Sequence, residues 1–254
     1  MPRILAGARK DRSEDTGGKN AEIAERRRAD ALEAVDTARR RVEILQPLSV
    51  KLPSTRLPTG REVVWLDRVS AGYRPDREVL RDLSLAIVGP ERVAIVGPNG
   101  SGKTTLLKLV AGELRPLSGT VRVRPDLALF DQKVSLLDPA VSILDNFRSF
   151  HRKAGANECH AALARFMFRA DAALQIVGHL SGGQMFRAGL ACVLGGASPP
   201  SLLILDEPTN HLDIESIEAV EAGLRAYGGA LLVVSHDEAF LQAIGITRRV
   251  ELAG

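Results

Sequence analysis

Eight consecutive residues, Gly97-Pro98-Asn99-Gly100-Ser101-Gly102-Lys103-Thr104, fit the pattern Gly-x-x-x-x-Gly-Lys-Ser/Thr without a mismatch. Phosphate groups need donors from several directions and no side chain in the way. The glycines let the backbone wrap and aim its N–H groups inward, and a helix opening near Lys103 adds its positive end. Lys103 supplies a point charge for β- and γ-phosphates, and Thr104 a hydroxyl for Mg²⁺. A second pair of residues invites the complementary half of the same chemistry. Asp206 and Glu207 end the apolar run LLILDEP. Adjacent acids at the end of a buried run are costly unless they meet a cation or a proton-transfer task. Beside a phosphate loop, Asp206 holds Mg²⁺ and Glu207 polarises an attacking water as general base.

Such groups need a frame, and the sequence spells one out. RVAIV precedes the phosphate loop and TLLKLVAGEL succeeds it as a helix. LLILDEP (202–208) and ALLVVSHD (230–237) are continuous apolar runs that end in polar residues, as suits central parallel strands covered on both faces. EVVWLDRVSAGY and LSLAIV (83–88) read as further strands, and TVRVRP (120–125) with DLALFDQ (126–132) as a strand pair. Helical stretches are expected at 139–150, about 157–168 and about 171–177. Alternating strands and helices predict an α/β fold with a parallel sheet, whose ligands sit at the carboxyl ends of the strands.

Composition narrows the setting. At 254 residues there is room for one sizeable domain and an appendage, and a formal net charge of +3 gives no bulk argument for nucleic acid. Cys159 and Cys192 are far apart with no CxxC neighbour, which speaks against a zinc site or disulfide framework and for a reducing cytoplasm. No apolar run approaches the ~18 residues of a membrane span, and MPRILAGARK lacks a secretory apolar core. No membrane insertion is therefore expected. From about Asn20 to Leu45 the chain has no Gly or Pro and is rich in Ala, Glu and Arg, predicting a long helix. Ala31, Val35, Ala38, Val42 and Leu45 form a narrow apolar seam that wants one partner helix. Arg26–Arg28 and Arg39–Arg41 can meet RNA phosphates, or simply form a solvated face with pairs such as Glu22–Arg26. Residues 47–60, with three prolines, read as a linker.

One further motif makes the resemblance specific. Leu180-Ser181-Gly182-Gly183-Gln184 is similar to the signature of the ATP-binding cassette (ABC) superfamily. Physically, a Ser-capped, glycine-opened helix is a second anion grip, useful for the nucleotide of a facing cassette. The resemblance implies a P-loop ATPase domain of the ABC type. Its parts are a small antiparallel β lobe and a helical subdomain over about 137–190, within a cassette at residues 61–254. It implies ATP with Mg²⁺ as ligand, bound by Tyr73 stacking on adenine, by Gly97 through Thr104 and by Thr105. Thr104, Gln132 and Asp206 would hold the metal, and Glu207, Gln132 and His236 would serve catalysis. Ser181, Gly182, Gly183 and Gln184 would grip the partner's ATP, and Asp213 would cross the pair interface.

The run Leu205-Asp206-Glu207-Pro208-Thr209-Asn210-His211-Leu212-Asp213 resembles the wording of the F subfamily, as does the charged helix before the cassette. That subfamily carries two cassettes in one soluble chain and mostly acts on ribosomes. The resemblance implies that residues 1–60 are linker: a tip at 1–18, a returning helix at 20–45 and a Pro-rich connector. It also implies a second cassette as partner, from a preceding half or from a homodimer, with ribosome or tRNA as further partners in the cytoplasm. Gln184 stands where ribosomal F-type members often carry Glu and many transporter ATPases carry Gln. The alternatives are therefore an ATPase subunit of a membrane transporter and a clamp that binds ATP with negligible hydrolysis.

Overall fold

The computed structural model describes residues 51–74, 76–210 and 212–252. The expected helix at 20–45, its seam and its arginine triplets lie outside the described residues. Eight strands and six helices are described: β1 (Glu62–Ala71), β2 (Leu80–Val88), β3 (Arg92–Val96), α1 (Lys103–Val110), β4 (Ser118–Val123), β5 (Leu127–Phe130), α2 (Ile143–Phe150), α3 (Ala156–Ala164), α4 (Gly182–Leu194), β6 (Leu202–Asp206), α5 (Ile214–Ala226), β7 (Ala230–Val234), α6 (Glu238–Ala243) and β8 (Arg248–Glu251). Two short 3-10 turns, Ala170–Leu174 and Val177–His179, lead into α4.

β3, β5, β6, β7 and β8 form one parallel sheet in the order β5-β6-β7-β3-β8. β6 and β7 are buried at every position, which is why their sequences show no alternation. The two-residue period is still at work, because it divides them between two cores. Leu203, Leu205, Leu231 and Val233 face a core shared with α2, α3, α4 and α5. Leu202, Ile204, Leu232 and Val234 face a second core, shared with α1 and the antiparallel sheet. α1 presents Leu106, Leu107, Leu109 and Val110 to that second core. Truncating any of these leucines to alanine would cost roughly 2–5 kcal/mol.

The second sheet is antiparallel, ordered β2-β1-β4. Here the strand reading needs correction. The runs at 120–125 and 126–132 do not pair with each other: β4 joins β1, while β5 joins β6 in the parallel sheet. Arg124, Pro125 and Asp126 lie between β4 and β5, and a proline cannot supply the amide that a tight hairpin needs. β2 shows the one-sided burial of a sheet with a wet face, with Leu85 and Ile87 inward and Ser84, Ala86 and Val88 outward. On that outer face the Arg122 guanidinium lies 3.8 Å over the Trp65 ring. The helical stretches fall close to expectation, except that 171–177 is a 3-10 turn rather than a helix. Residues 51–58 form neither helix nor strand; the Thr55 hydroxyl donates to the Gly228 carbonyl at 3.2 Å, and Leu57 packs on the second core. No described helix is long and apolar enough to cross a membrane.

Candidate functional site

The parallel sheet aligns its carboxyl ends in one row. Phe130 pairs with Leu205, Asp206 with Val234, and Val234 with Ile95. The segments leaving β5, β6, β7 and β3 therefore emerge side by side. They carry Gln132, Glu207, His236 and the phosphate loop, residues up to more than a hundred positions apart in the chain.

The loop from Gly97 to Gly102 needs its glycines. Gly97 has φ +146°, and a Cβ there would lie 2.6 Å from the Leu252 carbonyl oxygen. Gly102 has φ +95°, and its Cβ would meet a Leu80 methyl at 2.7 Å. Pro98, Asn99 and Gly100 are exposed, while Ser101 and Thr105 are buried under the loop. The Ser101 N–H donates to the Pro98 carbonyl at 3.2 Å. The Lys103 ammonium donates to the Gly97 and Pro98 carbonyls at 2.8 and 3.0 Å, so the cation sits inside the loop's curve. α1 begins at Lys103 with no side-chain cap, leaving its first amides to a ligand.

The Thr104 hydroxyl donates to Asp206 Oδ2 at 3.1 Å, joining the two strand ends. Asp206 is buried, and burial pushes its carboxyl above the usual range. The hydrogen bond from Thr104 pulls the other way, the neighbouring Asp131 adds to the rise, and Lys108 and Lys103 lower it. Glu207, the next residue, has φ +49°, a left-handed conformation unusual for a non-glycine residue and of the kind that clusters at functional sites. Its N–H donates to the Val234 carbonyl at 2.8 Å, which holds the turn. The turn brings Glu207 Oε1 within 3.2 Å of His236 Nε2. Gln132 is two residues past β5, beside this row.

Tyr73 is 61% exposed. The Lys108 ammonium lies 5.7 Å from its ring centroid. Sequence reading missed Lys108: it is one charge among many until the fold brings α1 up to Tyr73. Asp131 was missed as well, although it directly precedes Gln132.

Ser181 caps α4 in a reciprocal box: its Oγ accepts the Gln184 N–H at 3.2 Å, and Gln184 Oε1 accepts the Ser181 N–H at 3.0 Å. Gly182 opens the helix. Gly183 must be glycine, since a Cβ there would collide with Ser216 Oγ on α5. Asp213 caps α5 by accepting the Ser216 N–H at 2.7 Å. That hydrogen bond holds the Asp213 carboxyl below its usual range. The signature residues and Asp213 are thus packed together, and among the described residues no hydrogen bond links them to the phosphate loop.

Metal chemistry is constrained by the donors present. Among the described residues no group of three or more His, Cys, Asp or Glu is gathered as a metal cage. Thr104, Asp206 and Gln132 offer hard oxygens, and burial holds the Asp206 carboxyl above its usual range. Magnesium suits such a site, because it takes one or two protein ligands and completes its shell with phosphate and water.

A phosphate loop and an acidic strand end at one edge of a parallel sheet, with a Ser-Gly-Gly-capped helix packed against that sheet, define a nucleoside-triphosphate-binding cassette of the P-loop type. The family model described as "ABC transporter" matches residues 80–210, a little over half of the chain. The chain belongs to the ATP-binding cassette family and is an ABC-F-like cassette. It is 39% identical over 221 residues to the ATP-binding protein Uup-like of Haemophilus influenzae, covering 84% of this chain and 47% of the relative. It is 35% identical over 231 residues to ABC transporter F family member 5 of Arabidopsis thaliana, covering 85% of this chain and 33% of that protein. The chain spans about half or less of the length of these curated relatives. Two solved structures share the fold at 24% identity. One is a bacterial Atm1-family ABC exporter with ATP bound, with a TM-score of 0.66 over 87% of this chain and 42% of that one. The other is a dimeric ATP-binding cassette in a post-hydrolysis state with ADP and phosphate, with a TM-score of 0.62 over 75% of this chain and 94% of that one.

Proposed function

We propose that this cassette binds ATP with Mg²⁺ and hydrolyses it as half of a paired-cassette ATPase of the F type, cytoplasmic and associated with the ribosome. The observation that carries the chemistry is the join at the carboxyl edge: Thr104 to Asp206, and Glu207 to His236. In this reading Lys103 exchanges the Gly97 and Pro98 carbonyls for β- and γ-phosphate oxygens, while the loop amides and the uncapped start of α1 take the rest. Tyr73 stacks on adenine, and Thr105 supports the loop from beneath. Magnesium, held by Thr104, Asp206 and Gln132, would neutralise charge on the phosphates. Glu207 orients the attacking water and takes its proton, its left-handed backbone fixing the carboxylate beside His236, which contacts the γ-phosphate. Ser181, Gly182, Gly183 and Gln184 grip the nucleotide of a second cassette, and Asp213 reports across the pair. Residues 1–60 then serve as linker, residues 61–254 as cassette, with 137–190 as helical subdomain.

The test uses Glu207→Gln, which removes the base and leaves the binding groups. With ATP this variant should accumulate a closed dimer in size-exclusion runs and sediment with ribosomes; only monomer would rule out self-pairing, and no ribosome association would sink the translation role. A second reading, the ATPase subunit of a membrane transporter, draws on one feature. A cavity of about 1030 Å³ opens beside α2 and α3, with Phe147, Phe150 and Val193 among its lining and Arg152 and Arg165 at its wall. It is large enough to seat a partner's segment, and the same variant recovered in the membrane fraction would favour that role.

A further inference from the structure

Tyr73 stands in a closed loop between β1 and β2. The Val79 N–H donates to the Ala71 carbonyl at 2.8 Å, and the Arg77 N–H to the Arg74 carbonyl at 3.1 Å. Gly72 lets the two arms of the loop meet, because a Cβ there would collide with the Arg77 carbonyl oxygen. Two contacts then fasten this loop to the phosphate loop and to the helix behind it. At its root, Val79 and Leu80 press on Gly102, where an added Cβ would lie 3.1 Å and 2.7 Å from their methyls. At its tip, the Lys108 ammonium reaches across from α1 to 5.7 Å from the Tyr73 ring centroid, within the range of a cation–π attraction. Lys108 is half-buried, and among the described residues no carboxylate forms an ion pair with it. The ring is therefore its near partner. Lys108 lies four residues past Thr104, so the two share one face of α1, a turn apart.

We propose that Lys108 is a positioning residue for the nucleotide base, acting through the Tyr73 ring. Its ammonium holds the ring against α1, the helix that also carries Lys103 and Thr104. The base platform and the phosphate site are thereby fixed to one rigid element, at a set distance from each other. The attraction also has a direction. A cation draws π-density towards itself, so the open part of the ring becomes electron-poorer and a better partner for an electron-rich purine. The exposure of Tyr73 leaves room for that purine while Lys108 stays in place. The inference rests on the reading of Tyr73 as the adenine platform.

The test is calorimetric titration of the full chain with magnesium ATP and with magnesium tripolyphosphate, which carries the phosphates without a base. Lys108→Met keeps the stem and removes the charge; Lys108→Arg keeps a cation. Lys108→Met should weaken ATP binding about 3- to 10-fold and leave tripolyphosphate binding within about 1.5-fold. Lys108→Arg should hold ATP affinity within about twofold of wild type. Tyr73→Leu should weaken ATP binding about 5- to 50-fold, the worth of one stacked base, and adding Lys108→Met to it should cost less than about a further twofold. Equal losses for ATP and tripolyphosphate in Lys108→Met would place the lysine on the phosphates and overturn the proposal. Wild-type ATP affinity in Lys108→Met, or an undiminished cost of that change beside Tyr73→Leu, would overturn it too, with Tyr73 still the platform. Wild-type ATP affinity in Tyr73→Leu would instead sink the platform itself, and the proposal with it.

Discussion

At the residue scale, the site is built from charges that the fold holds short of neutrality. Among the described residues Lys103 has only backbone carbonyls for partners, and Asp206 is buried with one hydroxyl and nearby lysines. In the proposed function both would gain from a magnesium–nucleotide complex, since an ammonium would gain phosphate oxygens and a desolvated carboxylate a divalent cation. Lys103→Ala should weaken ATP binding by about 10- to 100-fold, the worth of one charge-assisted contact set. Titration with a fluorescent ATP analogue checks this, and unchanged affinity would mean that the loop is not the phosphate site. Much of this scale was legible beforehand. Gly97 to Thr104 announce their chemistry because a phosphate loop is local: its donors are consecutive amides. Glu207 and His236 were legible as types but not as a pair. Their 3.2 Å contact depends on the left-handed turn at Glu207 and on β6 lying beside β7.

At the element scale, capping decides how α4 and α5 present their N-termini. Asp213 caps α5 with a carboxylate that hydrogen bonding holds below its usual range. A depressed folded pKa means that this stabilisation is present above the unfolded value of about 3.8 and fades as pH falls through the folded value. Asp213→Ala should therefore cost about 1 kcal/mol in urea unfolding at pH 7, with the difference from wild type vanishing in strong acid. Asp213→Asn keeps an acceptor and should cost a few tenths of that, with no acid dependence. The cap can be read from Asp213 standing before an apolar-periodic run. The close approach of Gly183 to Ser216 cannot, because it joins two helices whose separation no local pattern encodes.

At the scale of the whole molecule, Arg92 shows how the layers are tied. From the first residue of β3 its guanidinium reaches the carbonyls of Tyr227, at 2.6 Å, and Ile244, at the ends of α5 and α6. Burial lowers its pKa from the ordinary value, yet an arginine stays charged, so those carbonyls keep a full cation. Arg92→Met retains the bulk and removes the donors. It should destabilise the chain by about 2–3 kcal/mol in urea unfolding while leaving the slope of the transition unchanged.

From the sequence alone came the chemistry and the fold class. The phosphate loop, the acidic pair, the signature and the buried apolar runs are all local patterns, and local patterns survive without a structure. Tertiary structure alone decided which strand lies beside which. It sent β4 to the antiparallel sheet and β5 to β6, aligned four strand ends, set Thr104 against Asp206 across 102 positions, and pressed Val134 into Gly189. The physical reason is the same in each case. Strand pairing and helix docking depend on the burial of whole faces, and that burial is settled by all the elements together rather than by any one segment.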